Sequence, residues 1–320
     1  MSKYGIPYMG SKSKICASIA LNFPKSKHFY DLFGGGFSMT HYMLKNKSKR
    51  HEFFHYNEIK KDITELVKKA INGDYSYKKF KPEWISRKDF FKRQHDPYVR
   101  ICWSFGNNQR TYMFGPEIEE YKRSMHMAVV FEEFDTLSKD VFKFEKWPTK
   151  VNTITKRRLY LRQLIEHYRC TKIPDILHKF LSNQQLQQLE RLERLERLER
   201  LEQLQQLQQL GRLEQLQQLE QLEQLPCLDV TAKDYREIEI QPDAIVYCDI
   251  PYKNTGSYEV SFSHDDFYDW AASRNFPVYV SEYEIADKRF KKVYEVNKRS
   301  MLSSNKECKD MTEKLYWNGF

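Results

Sequence analysis

A short apolar run that leads into an acid, a proline and an aromatic ring constrains this 320-residue chain more than any other feature. Residues Ala244–Val246 predict a buried strand, and the tetrapeptide Asp249-Ile250-Pro251-Tyr252 follows closely. Open α/β sheets bind their ligands at the carboxyl ends of the strands, where this tetrapeptide would lie. The run therefore predicts an α/β sheet with a functional site at the end of this strand.

The tetrapeptide suits the binding of a planar amine. The lone pair of a nucleobase amine is delocalised into the ring, so a catalyst has to hold both N–H groups with acceptors that favour a tetrahedral nitrogen. Asp249 supplies one acceptor, and the carbonyl of Ile250 supplies a second because the residue before a proline is held extended. Tyr252 offers a ring on which a base that has left the duplex can stack. The alternative is a strand end with a capping acid and a core tyrosine.

A glycine-rich turn follows another predicted strand. The run Phe29-Tyr30-Asp31-Leu32 breaks into Phe33-Gly34-Gly35-Gly36, and a helix is predicted over residues 38–45. Glycines let the backbone approach a ligand closely, and a helix start presents free N–H groups. The next predicted strand, over residues 51–58, ends in Glu58, and an acid at that place commonly accepts from ribose hydroxyls. Such turns serve many cofactors and some serve none, and Glu58 is the candidate partner of ribose hydroxyls.

Three motifs in a fixed order resemble those of a known enzyme family. They are Tyr8-Met9-Gly10-Ser11-Lys12, residues 31–36 and residues 249–252. In these motifs the chain resembles the Dam-type (alpha-group) S-adenosylmethionine-dependent DNA adenine-N6 methyltransferases, and within that family it looks like a phage-like member. The resemblance covers roughly residues 4–74 and 227–319, and more loosely 97–125. Ile250 replaces the first proline of the family motif; because that position is thought to act through its carbonyl, we expect activity to survive.

The resemblance implies a fold, a reaction and a role for each motif residue. It implies a doubly wound, mostly parallel Rossmann-like sheet, and methyl transfer from S-adenosylmethionine to adenine N6 in double-stranded DNA. The catalytic residues would be Asp249, Ile250, Pro251 and Tyr252. The cofactor-binding residues would be Tyr8, Lys12, Asp31, Phe33, Gly34, Gly36, Glu58, Asp234 and Tyr235, and Lys12 would also reach DNA. S-adenosyl-L-homocysteine would be the product, and no metal is expected.

Amides and an arginine lie between glycines and aromatic residues in residues 102–115. Asn and Gln can pair with adenine edges and Arg with guanine, and Dam-type enzymes use a loop of this kind against DNA. We therefore predict DNA contacts for Asn107, Asn108, Gln109 and Arg110, with a polar hairpin turn as the alternative. The basic residues Lys156, Arg157 and Arg158 predict phosphate contacts, or else a solvated helix face.

Leucine recurs at every third position from Leu186 to Leu225, with Glu, Arg and Gln between. These residues favour a helix, but a step of three falls about 60° short of a turn, so the leucines would spiral around it. That excludes an ordinary coiled coil and leaves a solenoid-like coil or a helix wrapped in a groove. We interpret the repeat as an insertion that spaces or braces a recognition region, with a partner-binding surface as the alternative.

Charge and composition agree with a DNA-binding protein. The 53 Lys and Arg exceed the 44 Asp and Glu, and a net charge of +9 suits a polyanionic partner. No apolar run of about 18 residues and no signal pattern is present, so we expect a cytoplasmic protein that does not enter a membrane. The six cysteines are scattered, which argues for reduced thiols and against zinc.

The motifs predict a methyltransferase domain assembled from both ends of the chain. We predict its first part over residues 1–74, a mainly helical target-recognition region over 75–180, the repeat insertion over 181–226 and the catalytic part over 227–320. Two other functions stay open: an RNA or protein-amide methyltransferase, and a catalytically silent DNA-binding protein whose repeat binds a partner. The resemblance also admits a restriction endonuclease as a partner.

Overall fold

The computed structural model describes residues 4–142, 144–170, 208–222, 227–253, 262–299 and 310–320. Most of the leucine repeat, and both predicted limits of the insertion, lie outside these residues. The chain divides into two compact units. The first comprises Met1–Phe80, Gln94–Thr111 and Arg212–Phe320, and the second comprises Lys81–Arg93 and Tyr112–Gly211. The predicted recognition region is thus shared between the units, and the loop at 107–110 belongs to the first.

A seven-stranded sheet forms the centre of the first unit. Its strands are His28–Asp31 (β1), Phe53–Asn57 (β2), Leu228–Thr231 (β3), Ala244–Cys248 (β4), Val278–Glu282 (β5), Lys291–Arg299 (β6) and Asp310–Trp317 (β7). They lie in the order β3-β2-β1-β4-β5-β7-β6. Strands β1 to β5 pair in parallel, whereas β7 pairs antiparallel with β5 and β6. The predicted α/β class with a mostly parallel sheet is confirmed, and this sheet is consistent with a methyltransferase fold.

The described helices belong to both units. They are Cys16–Ala20 (α1), Ser38–Lys47 (α2), Lys61–Ile71 (α3), Arg87–Lys92 (α4), Pro97–Cys102 (α5), Pro116–His126 (α6), Thr136–Phe142 (α7), Ile154–Cys170 (α8), Gln208–Gln217 (α9) and His264–Ala272 (α10). Strands β4 and β5 are buried along their whole length, as expected where both faces of a parallel sheet are covered. On one face Val246 and Val278 pack with Phe267 of α10. On the other, the ring of Phe23 contacts the ring of Tyr247.

The order of the strands determines where a ligand can bind. The chain leaves β1 towards β2 on one side and returns to β4 on the other, so a crevice opens at the carboxyl ends of β1 and β4. Asp31 pairs in register with Tyr247. Asp31, which ends β1, and Asp249, which follows β4, therefore lie at the same edge of the sheet.

The helices of the second unit enclose a core that is rich in aromatic residues. Met125, Val129, Phe142 and Leu161 are buried together with Trp147, whose indole N–H donates to the carbonyl of Ala128 at 2.8 Å. Since buried indoles need an acceptor, this bond fixes the ring within the core.

The described part of the leucine repeat forms helix α9 and a following 3-10 turn, Gln218–Leu222. Its leucines are all buried, namely Leu210, Leu213, Leu216, Leu219 and Leu222. Leucines that spiral around a helix can all be buried only if other residues surround much of its circumference. Side chains of other residues therefore surround this described segment, and the conformation of the whole repeat stays a prediction.

Candidate active site

A cavity of about 680 Å³ opens at the carboxyl ends of β1, β2 and β4. Every residue that the sequence predicts as catalytic or cofactor-binding lines it: Tyr8, Lys12, Asp31, Phe33, Gly34, Gly36, Glu58, Asp234, Tyr235, Asp249, Ile250, Pro251 and Tyr252. The structure thus brings together side chains that are separated by more than two hundred residues in the sequence. Their individual roles stay predictions.

The glycine turn forms a wall of bare backbone because side chains do not fit there. A Cβ atom on Gly34 would lie 2.2 Å from the Tyr56 ring, and one on Gly36 would lie 2.4 Å from the Cβ of Tyr8. The N–H of Gly34 donates to the carbonyl of Asn57 at 2.9 Å. The turn is therefore pressed between β2 and the N-terminal segment, and a ligand can approach its backbone closely.

Asp31 lines the cavity, and one of its two carboxylate oxygens is buried without a donor among the described residues. The backbone and hydroxyl groups of Thr40 donate to its Oδ2 at 3.2 and 2.7 Å, whereas Oδ1 accepts no hydrogen bond from any described residue. Burial raises the pKa of Asp31 to about 7, and the charges of Asp249 and Glu58 also raise it, against the hydrogen bonds from Thr40. A buried acceptor without a donor suits a cationic group of a ligand.

Glu58 closes the turn from the other side. Its Oε2 accepts from the N–H of Gly35 at 2.9 Å and its Oε1 from the N–H of Lys60 at 3.1 Å. Burial raises the pKa of Glu58, although both N–H groups act to lower it. Each carboxylate oxygen keeps a further acceptor position, so Glu58 can hold the turn and still accept from hydroxyls.

Asp234 and Tyr235 form another wall of the cavity. The ring of Tyr235 packs against the ring of Phe33, with 5.2 Å between centroids. Asp234 accepts from the side chain of Arg236 at 2.8 Å through both of its oxygens, and hydrogen bonds from Arg236 lower its pKa. The sequence did not predict Arg236, with which an adenine amine at Asp234 would have to share the carboxylate.

At the strand end, Lys12 is enclosed by acids. Its Nζ lies 2.8 Å from Asp249 Oδ1 and 3.2 Å from Glu313 Oε1. The same atom lies 4.7 Å from the ring centroid of Tyr252. Burial would lower the pKa of Lys12, but the two carboxylates outweigh it and raise the pKa above its usual value. An ammonium group is therefore held between Asp249 and the ring of Tyr252.

Glu313 is a site residue that the sequence did not predict. It is buried on β7, lines the cavity and accepts from the hydroxyl of Tyr252. The ring of Tyr252 also meets that of Tyr283 edge to face, at 4.5 Å between centroids. The sequence did contain a signal for this residue. Glu313 lies two positions before Leu315, so both side chains lie on the same face of the strand, and an acid that faces the core needs a partner there.

Glu282 is a second unpredicted acid, at the end of β5. Its oxygens accept from the N–H groups of Tyr283 at 2.8 Å and Lys253 at 3.3 Å. Burial raises its pKa to about 7. Next to it, Nε2 of His264 lies 2.7 Å from the carbonyl oxygen of Pro251. These contacts fix the backbone on both sides of Tyr252.

The predicted DNA readers lie in a loop of the first unit, and none of them lines the cavity. Asn108 Oδ1 accepts from the backbone N–H groups of Arg110 at 2.9 Å and Thr111 at 3.0 Å. Gln109 Oε1 accepts from Nε of Arg100 at 3.0 Å. Arg110 is exposed, and Asn107 is half-buried. Two of the four predicted readers thus already bond within the protein.

The predicted phosphate contacts lie on α8 of the second unit. Lys156 is exposed, whereas Arg157 and Arg158 are buried. Arg157 donates to the carbonyl of Val129 at 2.9 Å and pairs with Glu132. Of these three residues, Lys156 is the one whose position suits a phosphate contact.

The described residues contain neither a metal-binding cluster nor a membrane-spanning helix. No group of three or more His, Cys, Asp or Glu side chains there is arranged to hold a metal ion. None of the described helices is long and apolar enough to cross a membrane.

Comparison with known protein families identifies the family of this chain. The family of D12 class N6 adenine-specific DNA methyltransferases matches residues 8–168, which is just over half of the chain. This range contains the glycine turn, Lys12, Asp31 and Glu58, together with the loop at 107–110. No curated protein matches the chain.

Proposed function

The chain belongs to the D12 class N6 adenine-specific DNA methyltransferase family, and we propose that it methylates adenine N6 at one recognition sequence in double-stranded DNA. Methyltransferases of this family use S-adenosylmethionine, and we propose the same methyl donor here. The Dam-type subgroup and the phage-like character belong to the proposal, and so does a cytoplasmic location. A restriction endonuclease of the same specificity is the protein partner that the proposal admits.

The environment of Lys12 Nζ is the observation that carries this proposal. A nitrogen atom lies 2.8 Å from Asp249 Oδ1 and 4.7 Å from the ring centroid of Tyr252. An adenine amine needs the same two neighbours, an acceptor for its N–H group and a ring on which the base can stack. An entering base would take this place, so Lys12 would turn away from Asp249.

The reaction follows from groups that the fold holds in place. The flipped adenine stacks on Tyr252, whose orientation is fixed by Glu313 and Tyr283. Asp249 and the carbonyl of Ile250 accept the two N–H groups, which draws the nitrogen towards a tetrahedral form and frees its lone pair. Ile250 is buried, so the backbone that carries this carbonyl is anchored in the core. The amine loses a proton as it is methylated, and Asp249 is the acceptor beside it.

The cavity suits the methyl donor. S-adenosylmethionine would supply an electrophilic methyl group on a positively charged sulfur. Oδ1 of Asp31, which accepts from no described donor, suits its ammonium group, and the free acceptor positions of Glu58 suit ribose hydroxyls. Phe33 and Tyr235 form an apolar wall that a nucleoside base can contact. The cavity thus offers an acid for the ammonium group, acceptors for the ribose hydroxyls and an apolar wall for the base of the methyl donor.

The test is incubation of the purified protein with S-adenosylmethionine and either double-stranded DNA, RNA or protein, followed by mass spectrometry of the products. We expect N6-methyladenine in the DNA sample alone. Methylated RNA or methylated protein amide, with unmodified DNA, would replace the proposal by the corresponding alternative. In the same assay the variant Asp249→Ala should leave the DNA unmodified. The control Asp265→Ala, which removes an exposed acid outside the cavity, should methylate DNA as the wild type does.

A further inference from the structure

We infer that Arg212 of the leucine repeat is a positioning residue for residues 104–111, the loop that carries the proposed DNA readers. The inference rests on the proposed function, since it assumes that this loop contacts DNA. It gives the described part of the repeat a specific role, because one arginine of the repeat holds the base of the loop.

The evidence begins at the end of α5. Nη1 of Arg212 donates to the carbonyl oxygens of Ile101 at 3.2 Å, Cys102 at 3.0 Å and Ser104 at 2.5 Å. The last carbonyls of a helix have no N–H partner within it, and a cation at this end also interacts favourably with the helix dipole. Arg212 thus caps α5 at the point where the loop starts.

Arg212 is buried, with 8% of its surface exposed. Burial lowers its pKa to about 10, so the guanidinium is still charged at neutral pH. A buried charge is costly unless hydrogen bonds satisfy it, and the three carbonyls accept from this group. Loss of the arginine would leave these carbonyls buried without that donor.

Ser104 passes the constraint from Arg212 to the loop. Its carbonyl accepts from Arg212, and its hydroxyl accepts from the N–H of Gln109 at 3.1 Å. The N–H of the next residue, Phe105, donates to the carbonyl of Thr111 at 2.8 Å. Both ends of the loop are therefore tied to the residues that Arg212 holds.

The conformation of the loop needs such support. Asn107 and Gln109 have left-handed backbone angles, with φ of 61° and 63°. These conformations are unfavourable for residues other than glycine and persist where the surroundings hold them. We therefore expect the loop to relax when its base is released.

The segment that carries Arg212 is itself firmly anchored. Gln217 Nε2 donates to the carbonyl of Tyr75 at 2.8 Å. Gly73 has a φ of 71°, and a Cβ there would lie 2.8 Å from Oε1 of Glu220, so the backbone after α3 and the repeat approach closely. These contacts therefore hold the backbone of the segment that carries Arg212 in place.

The sequence marks this position within the repeat. Gly211 is the only glycine between Leu186 and Leu225, and Arg212 is the only arginine after Arg200 in that stretch. The other leucine pairs in this part of the repeat enclose Gln and Glu alone. The one break in the pattern coincides with the contact to the loop.

The test compares Arg212→Met with Gln218→Ala, which alters an exposed residue of the same segment. Two quantities are measured: amide hydrogen exchange over residues 104–111, and methylation of the recognition sequence relative to sites that differ by one base pair. For Arg212→Met we expect about tenfold faster exchange in the loop and about tenfold lower sequence selectivity. S-adenosylmethionine affinity and the control variant should be unchanged.

A second pair of variants covers the case in which Arg212→Met does not fold. Arg212→Lys keeps a cation and three donors and should restore part of the protection, whereas Ser104→Ala cuts the link to Gln109 and should speed exchange in the loop. Unchanged exchange over residues 104–111 in a folded Arg212 variant would overturn the inference, and so would faster exchange with unchanged selectivity. If the wild-type protein leaves DNA unmodified, the proposed function fails, and the exchange measurement still decides whether Arg212 holds the loop.

Discussion

The cavity at the strand ends and the loop at 104–111 belong to the same unit but are built differently. Side chains from several segments that are distant in the sequence line the cavity. Its charged groups form ion pairs with one another, as Lys12 does with Asp249 and Glu313. The loop is one continuous segment whose shape depends on backbone angles and on Arg212, about a hundred residues away in the sequence. A site at strand ends can therefore be predicted from local motifs, whereas the geometry of a loop depends on residues elsewhere.

The two regions also differ in charge. Buried carboxylates, those of Asp31, Glu58 and Glu313, line the cavity, which favours amines and cations. The loop exposes the side chain of Arg110 to solvent, and a cation at the surface favours a polyanionic partner. We expect changes in the cavity to affect chemistry and cofactor binding, and changes in the loop to affect the choice of DNA sequence.

The largest effect is expected for Asp249→Ala. Loss of the acceptor for the amine should lower the methylation rate by at least about a thousandfold. S-adenosylmethionine affinity, measured by calorimetry, should stay within about tenfold of the wild type because other residues bind the cofactor. Near-native turnover by this variant would remove Asp249 from the mechanism.

Glu58→Ala should act on the cofactor instead. Without acceptors for the ribose hydroxyls, S-adenosylmethionine should bind about ten to a hundred times more weakly. Calorimetry measures this, with Glu65→Ala, an exposed acid of α3, as the control. Unchanged affinity in the Glu58 variant would separate this residue from the cofactor site.

Arg110→Ala should have a smaller effect that depends on sequence. If Arg110 reads a guanine, selectivity at one base pair should fall about tenfold, with cofactor affinity unchanged. Lys156→Ala, also at an exposed position, should weaken DNA binding equally for all sequences. It should also reduce the slope of the logarithm of the DNA-binding constant against the logarithm of the salt concentration by about one. Binding titrations on DNA sites with single substitutions, at several salt concentrations, distinguish the two patterns.

The smallest effect concerns pH. Asp31 has a pKa of about 7 because it is buried, so its carboxylate form, which can hold an ammonium group, increases as the pH rises through 7. S-adenosylmethionine affinity should therefore increase roughly fivefold to tenfold from pH 6 to pH 7.5, and Asp31→Asn should abolish this dependence. A wild-type affinity independent of pH would place the ammonium group elsewhere.

The same raised pKa bears on stability. Because the folded protein favours the protonated form of Asp31, the contribution of this group to stability is largest at low pH and is lost as the pH rises from about 4 to about 7. In the absence of ligand, Asp31→Asn should therefore unfold at a higher temperature than the wild type at pH 7.5. A lower unfolding temperature would show that Asp31 has a partner that stabilises its charged form.

The fold class and most of the cavity were accessible to sequence reasoning. Asp31 ends β1 and Asp249 follows β4, and the carboxyl ends of parallel strands lie at one edge of a sheet. Asp31, Glu58 and Asp249 could thus be predicted to lie together before their contacts were known. The order of the motifs added Tyr8 and Lys12.

Other features depend on contacts that no local pattern encodes. Glu313 reaches the site because β7 inserts between β5 and β6, and Arg236 takes part because it folds back on Asp234. Arg157 belongs to a basic run, yet it is buried against the carbonyl of Val129. The leucine period indicates a helix that must be surrounded, but not which residues surround it.

The most direct test of the account is long-read sequencing of a methylation-free bacterial host that expresses the protein or its Asp249→Ala variant. The wild-type protein should modify adenine in a single sequence motif, and the variant should leave every adenine unmodified. Modified adenine in both cultures would contradict the assignment of Asp249. If the wild-type protein binds S-adenosylmethionine but the host DNA contains no modified adenine, DNA is not the substrate.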